Sequence, residues 1–93
     1  VEAAKTADVI VLCLGEDTYC ETPGNINNLE LPKAQPDFAE TLAKTGKPVI
    51  LILTEGRPRV FHRISDEMNS IVLAMLPGMD GGKAIAEVIS GKV

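Results

Sequence analysis

Three stretches of the chain are apolar without alternation. "DVIVLCLGE" (8–16), "KPVILILTEG" (47–56) and "SIVLAMLPG" (70–78) each run through Val, Ile and Leu and end in Gly or Pro. Unbroken runs of this length, bounded by turn residues, suit strands buried on both faces, as in a parallel sheet. The intervening segments change period. In "LPKAQPDFAETLAKTG", Phe38 and Leu42 lie four apart with Ala39 and Ala43 beside them, which predicts a helix with those residues on its apolar face. Pro36 fits the first turn of that helix, and Lys44 with Gly46 forms its stop. "VEAAKTA" reads as a helix before the first strand, and "RPRVFHRISDEMN" holds a short one before the third. "GGKAIAEVISG" ends the chain with Ala84, Ile85, Val88 and Ile89 as a stripe at helical spacing.

Strand and helix in alternation are the mark of right-handed βαβ crossovers. The expected fold is therefore α/β with a parallel sheet, present in part: three strands (9–14, 49–54 and 71–76) with flanking helices. The first two strands are expected adjacent or separated by one. Three parallel strands leave edges that need covering, so residues 1–93 read as one partial domain of a longer chain. Partner strands are expected from that parent chain or from another subunit, and self-association through the open edge is the alternative outcome.

Composition narrows the function classes. A net charge of −4 with scattered basic residues gives no clustered surface for nucleic acid. No apolar run approaches the roughly 20 residues that cross a bilayer, so neither nucleic acid nor membrane is an expected partner. Two cysteines are too few for a disulfide framework, and Cys13 and Cys20 are expected as unpaired thiols, Cys13 within a buried strand. The sequence does not assign a cellular compartment.

In open α/β sheets ligands bind at the carboxyl ends of the strands. Here all three strands lead there into unusual sequence: "GEDTYCETPGNINN", "TEGRP" and "LPGMDGG". "GMDGGKA" precedes a helix but matches neither the dinucleotide fingerprint nor a P-loop, so a tight turn with Asp80 at a helix N-terminus is the simpler reading. The lone His62 stands in a basic neighbourhood away from the acids, no alternating oxygen-ligand series follows Asp17, and no metal or other cofactor is expected. The first loop is the longest, well beyond the usual connection of about 2 to 6 residues. Ile26, Leu29 and Leu31 are candidate anchors for it. Its carboxylates Glu16, Asp17 and Glu21 suit contact with sugar hydroxyls, a cation, or general acid–base work, although taken alone a plain solvated loop is the default reading.

A resemblance separates these alternatives. "GEDTYCETPGNINNLELP", "TGKPVILILTEGRP" and "LPGMDGGKAIAEVISG", in that order, resemble the second domain of glycoside hydrolase family 3, the β-glucosidases, β-xylosidases and related exo-acting enzymes. The resemblance runs from Ala3 to Gly91. It implies a retaining enzyme acting on terminal β-linked sugars in oligosaccharides or glycosides. It also implies a three-layer α/β sandwich for this domain, leaning over the mouth of an N-terminal barrel domain of the parent chain; the barrel would carry an aspartate nucleophile and the sandwich would supply the acid/base glutamate. By similarity Glu21, in "YCETPGN", takes the acid/base place, and Glu16, in "GE", matches an acid recurring at the strand end. Glu16 and Tyr19 are the candidates for substrate contact; Tyr19 either packs on a sugar ring or anchors the loop. Arg57, in "GRP", is expected to brace the strand edge by pairing with a carboxylate. The family commonly has Asp where this loop has Asn25, and an aromatic residue before the last Pro-Gly, where this chain has "LAMLPG". On this reading the 93 residues alone are inactive. The rival reading is a non-catalytic scaffold or interaction module with the same fold.

Overall fold

The computed structural model describes residues 1–20 and 22–93. Helix α1 (Glu2–Thr6) leads into strand β1 (Ile10–Gly15), α2 (Ala34–Ala43) into β2 (Val49–Thr54), and α3 (His62–Ser65) into β3 (Ser70–Met75); α4 (Gly81–Ile89) closes the chain. The strands form one parallel sheet in the order β1-β2-β3. Register is set by direct pairing of Ile10 with Val49, Leu12 with Leu51 and Leu14 with Leu53 on one side, and Leu51 with Ile71 and Leu53 with Leu73 on the other. The predicted strands, their parallel sense and the adjacency of the first two all stand.

Side chains alternate across a strand, so Leu12, Leu14, Val49, Leu51 and Leu53 share one face. There they join Ala39 and Leu42 of α2, Ile64 of α3, Ala4 of α1 and Leu31 of the long loop in a single core. Leu51, Leu53, Val49 and Ile64 are almost completely buried, and each such side chain contributes roughly 1.5–3 kcal/mol on leaving water. The opposite face carries α4, whose Ile85 and Ile89 approach Val11, Cys13 and Ile52 across a shallow apolar groove. Helices on both faces make the three layers of an α/β sandwich.

Burial on both faces holds for β2 alone. Val11 and Cys13 of β1 are exposed on the α4 face, and Ile71 and Leu73 of β3 on the other. α2 and α3 cover β1 and β2, and α4 stops short of β1, so each outer strand keeps one bare face. Phe38 and Val88, placed in the apolar stripes by spacing, are half exposed for the same reason: the core ends before it reaches them. Neither cysteine is in a disulfide. Pro36 sits buried in the opening turn of α2, and Asp80 immediately precedes α4, as the turn reading required. No helix among the described residues is long and apolar enough to cross a membrane.

β3 carries one irregularity that shapes the ligand edge. Leu53 pairs with Leu73 but Thr54 with Met75, a bulge that leaves Met75 at φ 56°. A bulge bends the strand and redirects its end. The Met75 carbonyl then accepts the N–H of Glu55, tying the start of the "TEGRP" loop to β3 at 3.0 Å.

Candidate active-site edge

Both strand ends are held tightly where the long loop begins. A Cβ at Gly15 would land on the carbonyl oxygen of Thr54, so only glycine allows β1 to close on β2 there. The Gly15 N–H donates to Gln35 Oε1 at 3.0 Å, and Gln35 Nε2 donates back to the Gly15 carbonyl at 2.7 Å. One amide side chain from the opening turn of α2 thus satisfies both backbone groups at the end of β1.

Glu16 follows and turns across to β2. Its Oε1 accepts the N–H groups of Gly56 (2.8 Å) and Arg57 (3.0 Å). Its Oε2 accepts Arg57 Nε (3.4 Å) and Nη2 (3.2 Å), with Arg59 Nη1 at 3.6 Å. The side chain is only 5% exposed. Burial pushes the Glu16 carboxyl up, but the donors from Arg57 and Gly56 outweigh it, and the net position is below the ordinary carboxylate value. Glu16 therefore stays ionised as a brace.

Arg57 carries the connection back into the loop. Its Nη1 donates to the Gly24 carbonyl at 2.6 Å, and its guanidinium lies over the Tyr19 ring, 3.7 Å from the centroid. Burial, then the hydrogen bond and charge of Glu16, raise the Tyr19 hydroxyl above its ordinary value, with the Arg57 charge opposing them. Between this loop and the two arginines lies an open cleft of about 270 Å³, lined by Glu16, Asp17, Tyr19, Asn25, Arg57 and Arg59 among others.

Of the residues singled out in the sequence, Glu16, Tyr19 and Arg57 meet at one place. Arg57 pairs with a carboxylate as expected, and that carboxylate is Glu16. Tyr19 keeps 41% of its surface exposed beside the cleft. Glu21 lies outside the described residues. Among the loop's apolar candidates only Leu31 is buried; Ile26 and Leu29 remain exposed, and the loop is secured instead by Arg57 and by pairing of Leu29 and Glu30 with Val60. His62 is exposed at the start of α3. A larger cleft of about 460 Å³ runs between residues 28–36 and 59–63. Its charged groups include Arg63, bound to Asp37 and Glu40 at 2.6 Å each, and Lys33, bound to Asp37. That network ties α2 to α3.

The sequence reading missed Glu55 and Gln35. Glu55 is 2% exposed; its Oε1 accepts the Arg59 N–H at 3.2 Å, while Oε2 and Arg59 Nε have no partner among the described residues. An acid directly after an apolar strand was the available signal.

A profile of the glycosyl hydrolase family 3 C-terminal domain matches residues 1–93. The chain belongs to that family. A lysosomal beta glucosidase of Dictyostelium discoideum is 40% identical over 94 residues, covering the whole of this chain and 11% of its own length. A periplasmic beta-glucosidase of Salmonella typhimurium is 36% identical over 92 residues, 98% of this chain and 12% of its own length. The crystal structure of a beta-glucosidase from Listeria innocua in complex with glucose superposes with a TM-score of 0.92 at 30% identity, over 98% of this chain and 13% of that one. The family 3 segment described here thus spans about an eighth or less of these relatives.

Proposed function

We propose that this family 3 segment is part of the second domain of a retaining β-glycosidase of the β-glucosidase or β-xylosidase type. It completes an active site whose nucleophile lies on a barrel domain outside these residues. Glu21 is the acid/base, and Tyr19 offers its open ring surface to the sugar, with Glu16 ionised behind it. The observation that carries this reading is the placement of the acidic loop. It leaves the carboxyl end of β1 beside "GRP" of β2, around an open cleft at the edge where α/β sheets bind ligands. Relatives named as β-glucosidases support it.

The chemistry needs two carboxyl groups about 5–5.5 Å apart. The barrel carboxylate attacks the anomeric carbon while Glu21 gives its proton to the departing glycosidic oxygen. That leaves a glycosyl-enzyme and an ionised Glu21. Glu21 then takes a proton from water as the water attacks the same carbon, releasing the sugar with retained configuration and restoring both groups.

Replacing Glu21 by alanine in the full-length enzyme tests the assignment. Loss of the proton donor lowers turnover by about 10²–10⁴-fold on glycosides with poor leaving groups. Glycosylation by substrates whose leaving group needs no proton changes far less. An equal loss on both classes gives Glu21 a binding or structural role and refutes the proposal.

A further inference from the structure

The acidic loop has one attachment to the sheet that reaches it from both sides of residue 21. The Arg57 guanidinium stacks on Tyr19, two residues before, and binds the Gly24 carbonyl, three residues after. The same guanidinium is held by Glu16 through two further nitrogens, and Glu16 is fixed in turn by the backbone N–H groups of Gly56 and Arg57 at the end of β2. Tyr19 is itself confined: a Cβ at Gly56 would strike its hydroxyl, and one at Gly24 would sit 3.1 Å from its own Cβ. The chain of contacts therefore runs from the rigid strand end through Glu16 and Arg57 to both flanks of the loop.

We propose that Arg57 is a positioning residue for the acid/base step, fixing Tyr19 and Gly24 on the two flanks of Glu21; this rests on the reading of Glu21 given above. A planar fork with a face is required. Lysine keeps the charge but offers one nitrogen, which cannot bind Glu16 and Gly24 together while stacking on the ring. A displacement of about 1 Å in a reacting group costs on the order of 10²-fold in rate, so the loss of this clamp reaches the chemistry without touching substrate.

Two measurements test it. Chymotrypsin cleaves after tyrosine, so limited proteolysis of the full-length enzyme, followed by mass spectrometry as cleavage between Tyr19 and Cys20, reports the hold on the loop. Arg57→Lys is expected to speed that cleavage while the far-UV circular dichroism of the enzyme stays that of wild type. In the full-length enzyme the same substitution is expected to lower kcat about 10²-fold on alkyl glycosides. The glycosylation rate constant on activated aryl glycosides should stay near wild type, and a rise in KM from the displaced Tyr19 ring should be shared by both substrate classes. A smaller folded fraction would scale both substrate classes equally. Gly56→Ala, which leaves Arg57 and Glu16 in place but displaces the Tyr19 hydroxyl, is the second variant and is expected to move both readouts the same way. Unchanged cleavage after Tyr19 in both variants overturns the clamp, whatever Glu21→Ala shows. Faster cleavage with equal kinetic loss on both substrate classes overturns the positioning role. If Glu21→Ala also shows no leaving-group dependence, the fault lies in the Glu21 assignment.

Discussion

Replacing Glu16 by glutamine keeps the shape of the side chain and removes its charge, which isolates the worth of the strand-end brace. Oε1 can still accept the N–H groups of Gly56 and Arg57. The atom facing Arg57 Nε and Nη2 becomes an NH₂ group, a donor against donors, so two charge-assisted hydrogen bonds are lost. Bonds of that kind contribute about 1.5–3 kcal/mol each. Arg57 is 27% exposed and recovers part of this from water, whereas Arg59, 10% exposed, recovers less. The expected cost is about 3 kcal/mol, the low end for breaking a buried pair. With a urea m-value of about 1–3 kcal/mol/M, the midpoint should fall by about 1–3 M at pH 7. The pH dependence supplies a second check. The Glu16 carboxyl is lowered in the folded chain from its ordinary value of 4.5. Its contribution is therefore complete above that value and disappears as pH falls through the folded value. The gap between wild type and Glu16→Gln should close on acidification through that range. A difference below about 0.5 kcal/mol at pH 7, the size of a neutral surface change, or a gap that ignores pH, would refute the brace.

Two further outcomes follow from the packing. Leu51→Ala, at the centre of the sheet, is expected to destabilise by about 2–5 kcal/mol, while Phe38→Ala on the half-exposed side of α2 should fall below about 1 kcal/mol; equal costs in urea unfolding would contradict the described core. The bare faces of β1 and β3 should make the 93-residue chain self-associate, and a Val11→Lys, Leu73→Lys double substitution should reduce its weight-average mass in sedimentation equilibrium. A wild-type chain that stays monomeric at high concentration would remove that expectation.

The sheet was legible because hydrophobic runs report burial directly. β2 is buried on both faces as "VILILT" demands, and the boundaries of all three strands fall within about two residues of the apolar runs. The same signal misplaced Cys13, Phe38 and Val88. An apolar residue records that something covers it, without recording whether the cover lies within these residues. At the site, Arg57 was recognisable as a brace from "GRP". Its partner was not, because Glu16 lies 41 residues away and only the β1–β2 register brings the two together. Gln35 was invisible for a similar reason: its amide caps the end of β1 from the start of α2, and nothing in "KAQPD" announces that geometry.

We propose that this segment supplies the acid/base of a two-carboxylate site, and azide tests that most directly. Azide attacks a glycosyl-enzyme without needing a general base, so it bypasses the second half of the work assigned to Glu21. In the full-length enzyme carrying Glu21→Ala, turnover of an activated aryl β-glycoside should be restored by millimolar azide, with a β-glycosyl azide as the product. Glu16→Ala, impaired through the loop it braces, should show no such rescue. Absence of rescue in Glu21→Ala, or an α-configured azide, would contradict the account.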